Sequence, residues 1–280
     1  MNIGTLTIVG VGLIGGSIGL AVKRRGLVER VIGVGWRRET LDRALTLGAI
    51  DAGELDLAAG VAPADWVVFC TPVERIAGQI RAAAAVCRPG TLLTDAGSTK
   101  AAIVRAVEGQ VPEGIIFIGS HPLAGSEKRG PEHADADLLL NRLVIVTPTA
   151  TTPTDAVRRV TGFWQALGAR VQTMTPESHD QALAMTSHLP HLAAAALAGV
   201  LPPEWHDLTA TGFRDTTRVA AGDPTIWTGI FTHNRTAVLD ALTRFQERLT
   251  EFQQALTTND ENTIDQLLTQ GKKVRDALGS

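Results

Sequence analysis

The sequence predicts an α/β protein with a doubly wound, Rossmann-type parallel sheet in its N-terminal half and an all-helical C-terminal domain. Three observations predict it. A glycine pattern, Gly10-x-Gly12-x-x-Gly15, follows an apolar run from Thr5 to Val9. Strand-length apolar runs then alternate with helical patterns as far as residue 148. Beyond the punctuating stretch Thr147-Pro-Thr-Ala-Thr-Thr-Pro-Thr154 the pattern is almost wholly helical. The boundary is drawn near residue 150. Residues 1–150 are read as the dinucleotide-binding domain and 151–280 as a helical substrate-binding and dimerisation domain.

The first unit is a strand over 5–10, a helix from Leu13 to about Arg25, and a second strand over 30–35. Gly10 permits a tight turn, Gly12 lets backbone approach a pyrophosphate, and Gly15 allows close helix–strand packing. Leu13 and Ile14 open a helix whose free N–H groups favour an anion. Residues 1–22 carry no charged side chain, so a membrane segment is the rival reading. The many glycines, and basic residues only on the C-terminal side, argue against a span or a secretory signal.

Further strands are predicted at 66–70, 91–95, 115–120 and 142–148, with helices at 38–48, 73–86 and 99–109. Such alternation implies a parallel sheet covered on both faces. The second half predicts helices at 154–167, 177–200, 224–256 and 260–278, and one short strand near 170–174. Helix 177–200 is apolar on most faces, and Pro190 should kink it, because Thr186 loses its helical donor. Helix 224–256 would run about 50 Å, longer than a small domain needs, which points to a homodimer through the helical domain.

Composition narrows the function. The chain has 280 residues, 44% hydrophobic, and a net charge of −3. That lacks the basic field of nucleic-acid binders. Cys70 and Cys87 show no metal or redox spacing and read as buried thiols in a reducing cytoplasm.

The second strand ends Val34-Gly35-Trp36-Arg37-Arg38, without the acid that binds a ribose 2′-OH in NAD binders. Arg37 and Arg38 suit a 2′-phosphate, and Trp36 suits the adenine, so NADP is favoured, with NAD possible. Thr71 and Pro72, after the strand ending at Cys70, are assigned to the same cofactor. Glu39 is an alternative ribose partner.

Ser98, in Asp95-Ala-Gly-Ser-Thr-Lys100, follows a strand at the carboxyl edge and reads as a helper near the nicotinamide or as a helix N-cap. His121 sits at the next strand end and suits a general base for alcohol oxidation. In Ser187-His-Leu-Pro-His191 the two histidines share a helix face. No acid or cysteine completes a metal set, so none is predicted and His191 is assigned to substrate. In Gly212-Phe-Arg-Asp-Thr-Thr-Arg218, Arg218 is read as the cation for a dianionic substrate.

Taken together, GVGLIGGS, DAGSTK, HPLAGSEKRGPE, SHLPH, GFRDTTR and GDPTIW, in this order, resemble the prephenate/arogenate dehydrogenase family. The resemblance implies oxidative decarboxylation of a cyclohexadienol with hydride transfer to NAD(P), in tyrosine biosynthesis. It implies His121 as acceptor of the ring-hydroxyl hydrogen bond, Ser98 as its helper, and Arg218 as carboxylate anchor. Ser126, Glu127, Ser187 and His191 would contact substrate, with Glu127 near the entrance and Asp215 holding an arginine. Gly35 departs from the acid of NAD-using members. The end at Ser280 leaves no room for the regulatory or mutase domains of some members. A β-hydroxyacid dehydrogenase would use a helical-domain lysine, and none occurs between Lys128 and Lys272. A non-catalytic NADP-binding sensor would need neither His121 nor Arg218.

Overall fold

The computed structural model describes residues 3–124, 128 and 130–279. Residues 1–234 form one compact unit and 235–280 a second. The first is built on an eight-stranded sheet of order β3-β2-β1-β4-β5-β6-β7-β8. Its strands are β1 (Ile3–Val9), β2 (Val28–Val34), β3 (Ala52–Glu54), β4 (Trp66–Phe69), β5 (Leu92–Asp95), β6 (Ile116–Pro122), β7 (Leu143–Thr147) and β8 (Arg170–Thr173). All neighbours pair in parallel except β6 and β7, which are antiparallel. The chain order reverses between β1 and β4, the switch point where doubly wound sheets bind ligands.

The helices between strands are α1 (Leu13–Arg24), α2 (Arg38–Thr46), α3 (Leu57–Val61), α4 (Val73–Ala84), α5 (Ala101–Val107) and α6 (Thr154–Ala166). The two-residue period of the strands splits the core into two clusters. Leu6, Ile8, Val68 and Leu92 join α1, α2 and α6 through Ile18, Val22, Leu41, Phe163 and Trp164. Val9, Val67, Phe69 and Leu93 join α3, α4 and α5 through Val61, Ile76, Ile80 and Ile103. Each such fully buried side chain contributes about 1.5–3 kcal/mol.

Two short elements, β3 and α3, escaped sequence reading because each is too brief to show a period. His121 lies inside β6, opposite Ile145, rather than after it. The apolar helix read over 177–200 is α7 (Pro176–Leu183), a π turn over Ala184–His188, and α8 (Leu189–Gly199). The wide turn falls where Pro190 removes a donor, so the ladder re-forms at a longer spacing. A short α9 (Thr211–Thr217) follows.

The single long helix read over 224–256 is not formed. It is α10 (Pro224–His233) and α11 (Arg235–Thr257), separated at Asn234, whose backbone leaves the helical region (φ −108°, ψ 29°). The Asn234 side chain donates to the Asp180 carbonyl at 2.7 Å and contacts His188 Nδ1 at 3.1 Å. That tertiary anchorage overrides a continuous helical pattern. In the second unit, α11 and α12 (Glu261–Ala277) are joined by Arg248, which bonds Gln270 and pairs with Glu251. No described helix is long and apolar enough to cross a membrane.

Candidate active site

The glycine segment behaves as three separate devices. Gly10 has φ +96°, and a Cβ there would meet the Cys70 carbonyl at 2.8 Å. A Cβ on Gly15 would lie 2.2 Å from the Gly10 carbonyl, so α1 packs directly on the turn. Gly12 faces open space, with nothing within 4 Å of an added Cβ. It caps α1 without a side-chain bond, and no acid occupies the helix's first turn, where Leu13 and Ile14 sit. A pyrophosphate fits there. Thr71 packs on Gly10, and Pro72 precedes α4.

At the end of β2, Trp36 is 59% exposed, with the Arg75 guanidinium 5.1 Å from its ring centroid. Arg37 is the N-cap residue of α2, and Arg38, its first residue, donates to the Gly53 carbonyl at 3.1 Å. Arg75 carried no sequence signal, because it reaches Trp36 from α4.

A cavity of about 950 Å³ opens at the carboxyl edge. Its lining brings together Ser98, His121, Ser187, His191 and Arg218, five of the predicted residues. Ser126 and Glu127 lie outside the described residues. Ser98 does not cap α5, which begins at Ala101 after Lys100. Arg218 is exposed and has no ion-pair partner among the described residues, and no ion pair joins Asp215 to an arginine there. Lys128 and Arg142 also line the cavity, against one described carboxylate, Asp223. This balance suits an anion.

His121 belongs to a buried chain of groups. Its Nδ1 is 2.8 Å from His179 Nε2, and His179 Nδ1 is 2.8 Å from Asp180 Oδ1. The Asp180 carboxylate also accepts the backbone N–H groups of Lys100 at 2.8 Å and Ala101 at 2.9 Å, closing the start of α5. An ionised carboxylate accepts only, so the His179 proton resides on Nδ1. His179 Nε2 then accepts from His121 Nδ1, which leaves the His121 lone pair on Nε2. Burial, with His179, Lys100 and His188 nearby, holds His121 well below the usual imidazole range. The imidazole is therefore neutral at neutral pH, with its Nε2 lone pair free to accept a hydrogen bond.

His179 and Asp180 were missed by sequence reading. Their signal was a histidine and an acid within an otherwise apolar helix, but only the fold brings them behind His121. On the opposite wall His191 stacks on Trp227, with ring centroids 3.6 Å apart and planes at 13°. Gly222 makes this possible, since a Cβ there would lie 2.8 Å from His191 Cε1 and 2.5 Å from Trp227 Nε1. His191 Nδ1 is buried without a hydrogen-bond partner among the described residues.

Fold and site together define a nicotinamide-dinucleotide dehydrogenase with a cavity lined by cationic side chains. Residues 18–173 match the family model for the prephenate dehydrogenase nucleotide-binding domain, and 175–270 match that for the prephenate dehydrogenase dimerization domain. The chain belongs to the prephenate dehydrogenase family. It is 34% identical to a cyclohexadienyl dehydrogenase of Zymomonas mobilis, over 98% of this chain and 95% of that protein. Prephenate dehydrogenase from Aquifex aeolicus, solved with hydroxyphenyl propionate and NAD+, superposes with a TM-score of 0.91 at 31% identity, covering 98% of each chain. Arogenate dehydrogenase of Synechocystis gives a TM-score of 0.84 at 30% identity, covering 98% of this chain and 99% of that one.

Proposed function

We propose that this chain oxidatively decarboxylates prephenate to 4-hydroxyphenylpyruvate, with hydride transfer to NADP, in tyrosine biosynthesis. The observation that carries the reading is the His121 lone pair, fixed on Nε2 by His179 and Asp180, on a cavity that also holds Arg218. A dinucleotide held at the Gly10–Gly15 turn would supply the hydride acceptor for the ring carbon bearing the hydroxyl. His121 Nε2 takes the hydroxyl proton as the hydride departs and returns it to the ring oxygen as CO2 leaves and the ring becomes aromatic. Arg218 holds a substrate carboxylate, Ser98 assists at the hydroxyl, and Ser187 and His191 line the pocket. Ser126 and Glu127 complete it in the family pattern. Positioning matters most, since donor and acceptor carbons must approach to roughly 3–3.5 Å.

NADP over NAD is supported by Arg37, Arg38 and Arg75 around Trp36, and by Gly35 in place of an acid. The residues given to the cofactor precede residue 150, while Ser187, His191 and Arg218 follow it, which supports the functional division there. The chain works as a homodimer through its helical part, in the cytoplasm, where Cys70 and Cys87 stay as the thiols seen here.

The test is reduction of NADP+ and NAD+ with prephenate and with arogenate, followed by His121→Asn. The parent should prefer NADP+ and prephenate in kcat/KM. The variant should lose about 10²–10⁴-fold in kcat with little change in KM. Unaltered turnover refutes the assignment, and a preference for arogenate moves the substrate to the amino acid form.

A further inference from the structure

Where β5 ends, two buried charges take over from the backbone ladder. The pairing of β5 with β6 stops at Thr94 and Ile118, and from Gly119 onward β6 pairs with β7 instead. Ser120, one residue before His121, then gives its N–H to Asp95 Oδ1 at 3.0 Å. Its carbonyl accepts from Lys100 Nζ at 2.8 Å. Lys100 Nζ also donates to Asp95 Oδ2, and both side chains are wholly buried. The absence of a side chain at Gly119 leaves room, since a Cβ there would stand 3.3 Å from Lys100 Cδ.

Lys100 thus reaches both flanks of His121. Its ammonium clasps Ser120, and its backbone N–H holds Asp180, the far end of the imidazole chain. Stability gives little reason for such a pair, because two well-packed apolar residues commonly serve a core as well as a buried ion pair. The Ser120 hydroxyl is already held by Thr94 and the Trp164 indole. We infer that Lys100 is a positioning residue for His121, fixing its place through Ser120 and Asp180 and standing an Asp95-paired ammonium behind it. This rests on the reading of His121 as the base.

The groups facing His121 set the sign. His179 and Asp180 approach from α7, His188 from the π turn, and Lys100 with Asp95 from the β5–α5 side. Lys128, Arg142, Arg218, His191 and Asp223 share the cavity. An ammonium nearby disfavours the imidazolium, and a carboxylate favours it. Removing the Lys100 charge therefore makes His121 easier to protonate, and removing the Asp95 charge makes it harder.

The experiment is the pH profile of kcat/KM for the parent, Lys100→Met, Lys100→Arg and Asp95→Asn. The acid limb should move up by about one pH unit in Lys100→Met, a tenfold loss at a fixed pH below it. It should move down in Asp95→Asn and stay in place in Lys100→Arg. A uniform loss at every pH, with no limb displaced, makes the pair a plain structural brace and overturns the inference. If Lys100→Met does not fold, a limb that moves down in Asp95→Asn and stays in place in Lys100→Arg carries the test, and an unmoved limb in Asp95→Asn overturns the inference. An acid limb that persists in the residual activity of His121→Asn belongs to another group and sinks the earlier reading instead. A limb that is lost there but unmoved in both Lys100→Met and Asp95→Asn sinks only this one.

Discussion

Replacing His179 separates the imidazole chain from the rest of the site. In His179→Leu, His121 keeps its place in β6 but loses the acceptor 2.8 Å from its Nδ1. In the resting state that bond joins neutral groups and contributes about 0.5–1.5 kcal/mol, but once His121 takes the substrate proton it joins a charged donor and contributes about 1.5–3 kcal/mol. The difference, about 1–2 kcal/mol, falls on the transition state, so kcat should drop roughly 5–30-fold. KM should move little, because His179 is wholly buried and does not line the cavity. His179→Gln offers an amide oxygen to His121 and an amide N–H to Asp180, and should recover most of the loss. The assay is steady-state reduction of the nicotinamide, with kcat and KM resolved and a melting curve for each variant. A folded Leu variant with kcat within twofold of the parent, or a Gln variant no better than Leu, refutes the argument.

Arg218→Gln should raise KM tenfold or more with kcat nearly kept, since an exposed arginine with no ion-pair partner among the described residues supplies binding common to ground and transition states, about 1.5–3 kcal/mol for a charged hydrogen bond; a fall in kcat alone contradicts it. Gly222→Ala forces the His191–Trp227 stack apart, and its signature is a rise in KM and altered Trp fluorescence, whereas unchanged values of both remove the stack from substrate binding. Burial lowers the pKa values of His121, His179, His188 and His191. The unfolded chain therefore binds more protons below the ordinary imidazole value, and stability declines on acidification from there. His188, pushed from 6.5 to about 4, contributes on the order of 3 kcal/mol of that decline between those two values. Denaturant midpoints at pH 7 and pH 5 should fall accordingly in the parent and less in His188→Asn. Equal declines would dismiss His188 as a source.

Much of this molecule is legible in the sequence because its signals are local. Apolar runs with turns between them define seven of the eight strands in the sheet, and Gly10 and Gly15 answer needs of the turn itself, a positive φ and a carbonyl 2.2 Å from an added Cβ. His121 and Arg218 stand out as chemically apt residues beside strand ends and charged motifs. What only tertiary structure decided is what lies across the chain from these. Asn234 breaks a continuous helical pattern because its amide is held by Asp180 and His188, 54 and 46 positions away. Arg75 reaches Trp36 from another helix. The tautomer of His121 is set by a histidine 58 residues further on, and neither spacing nor composition records that distance. Sequence periodicity reports which face of an element is apolar. It does not report which polar groups, once water is excluded, must find one another, and that pairing decides which nitrogen of His121 keeps its lone pair.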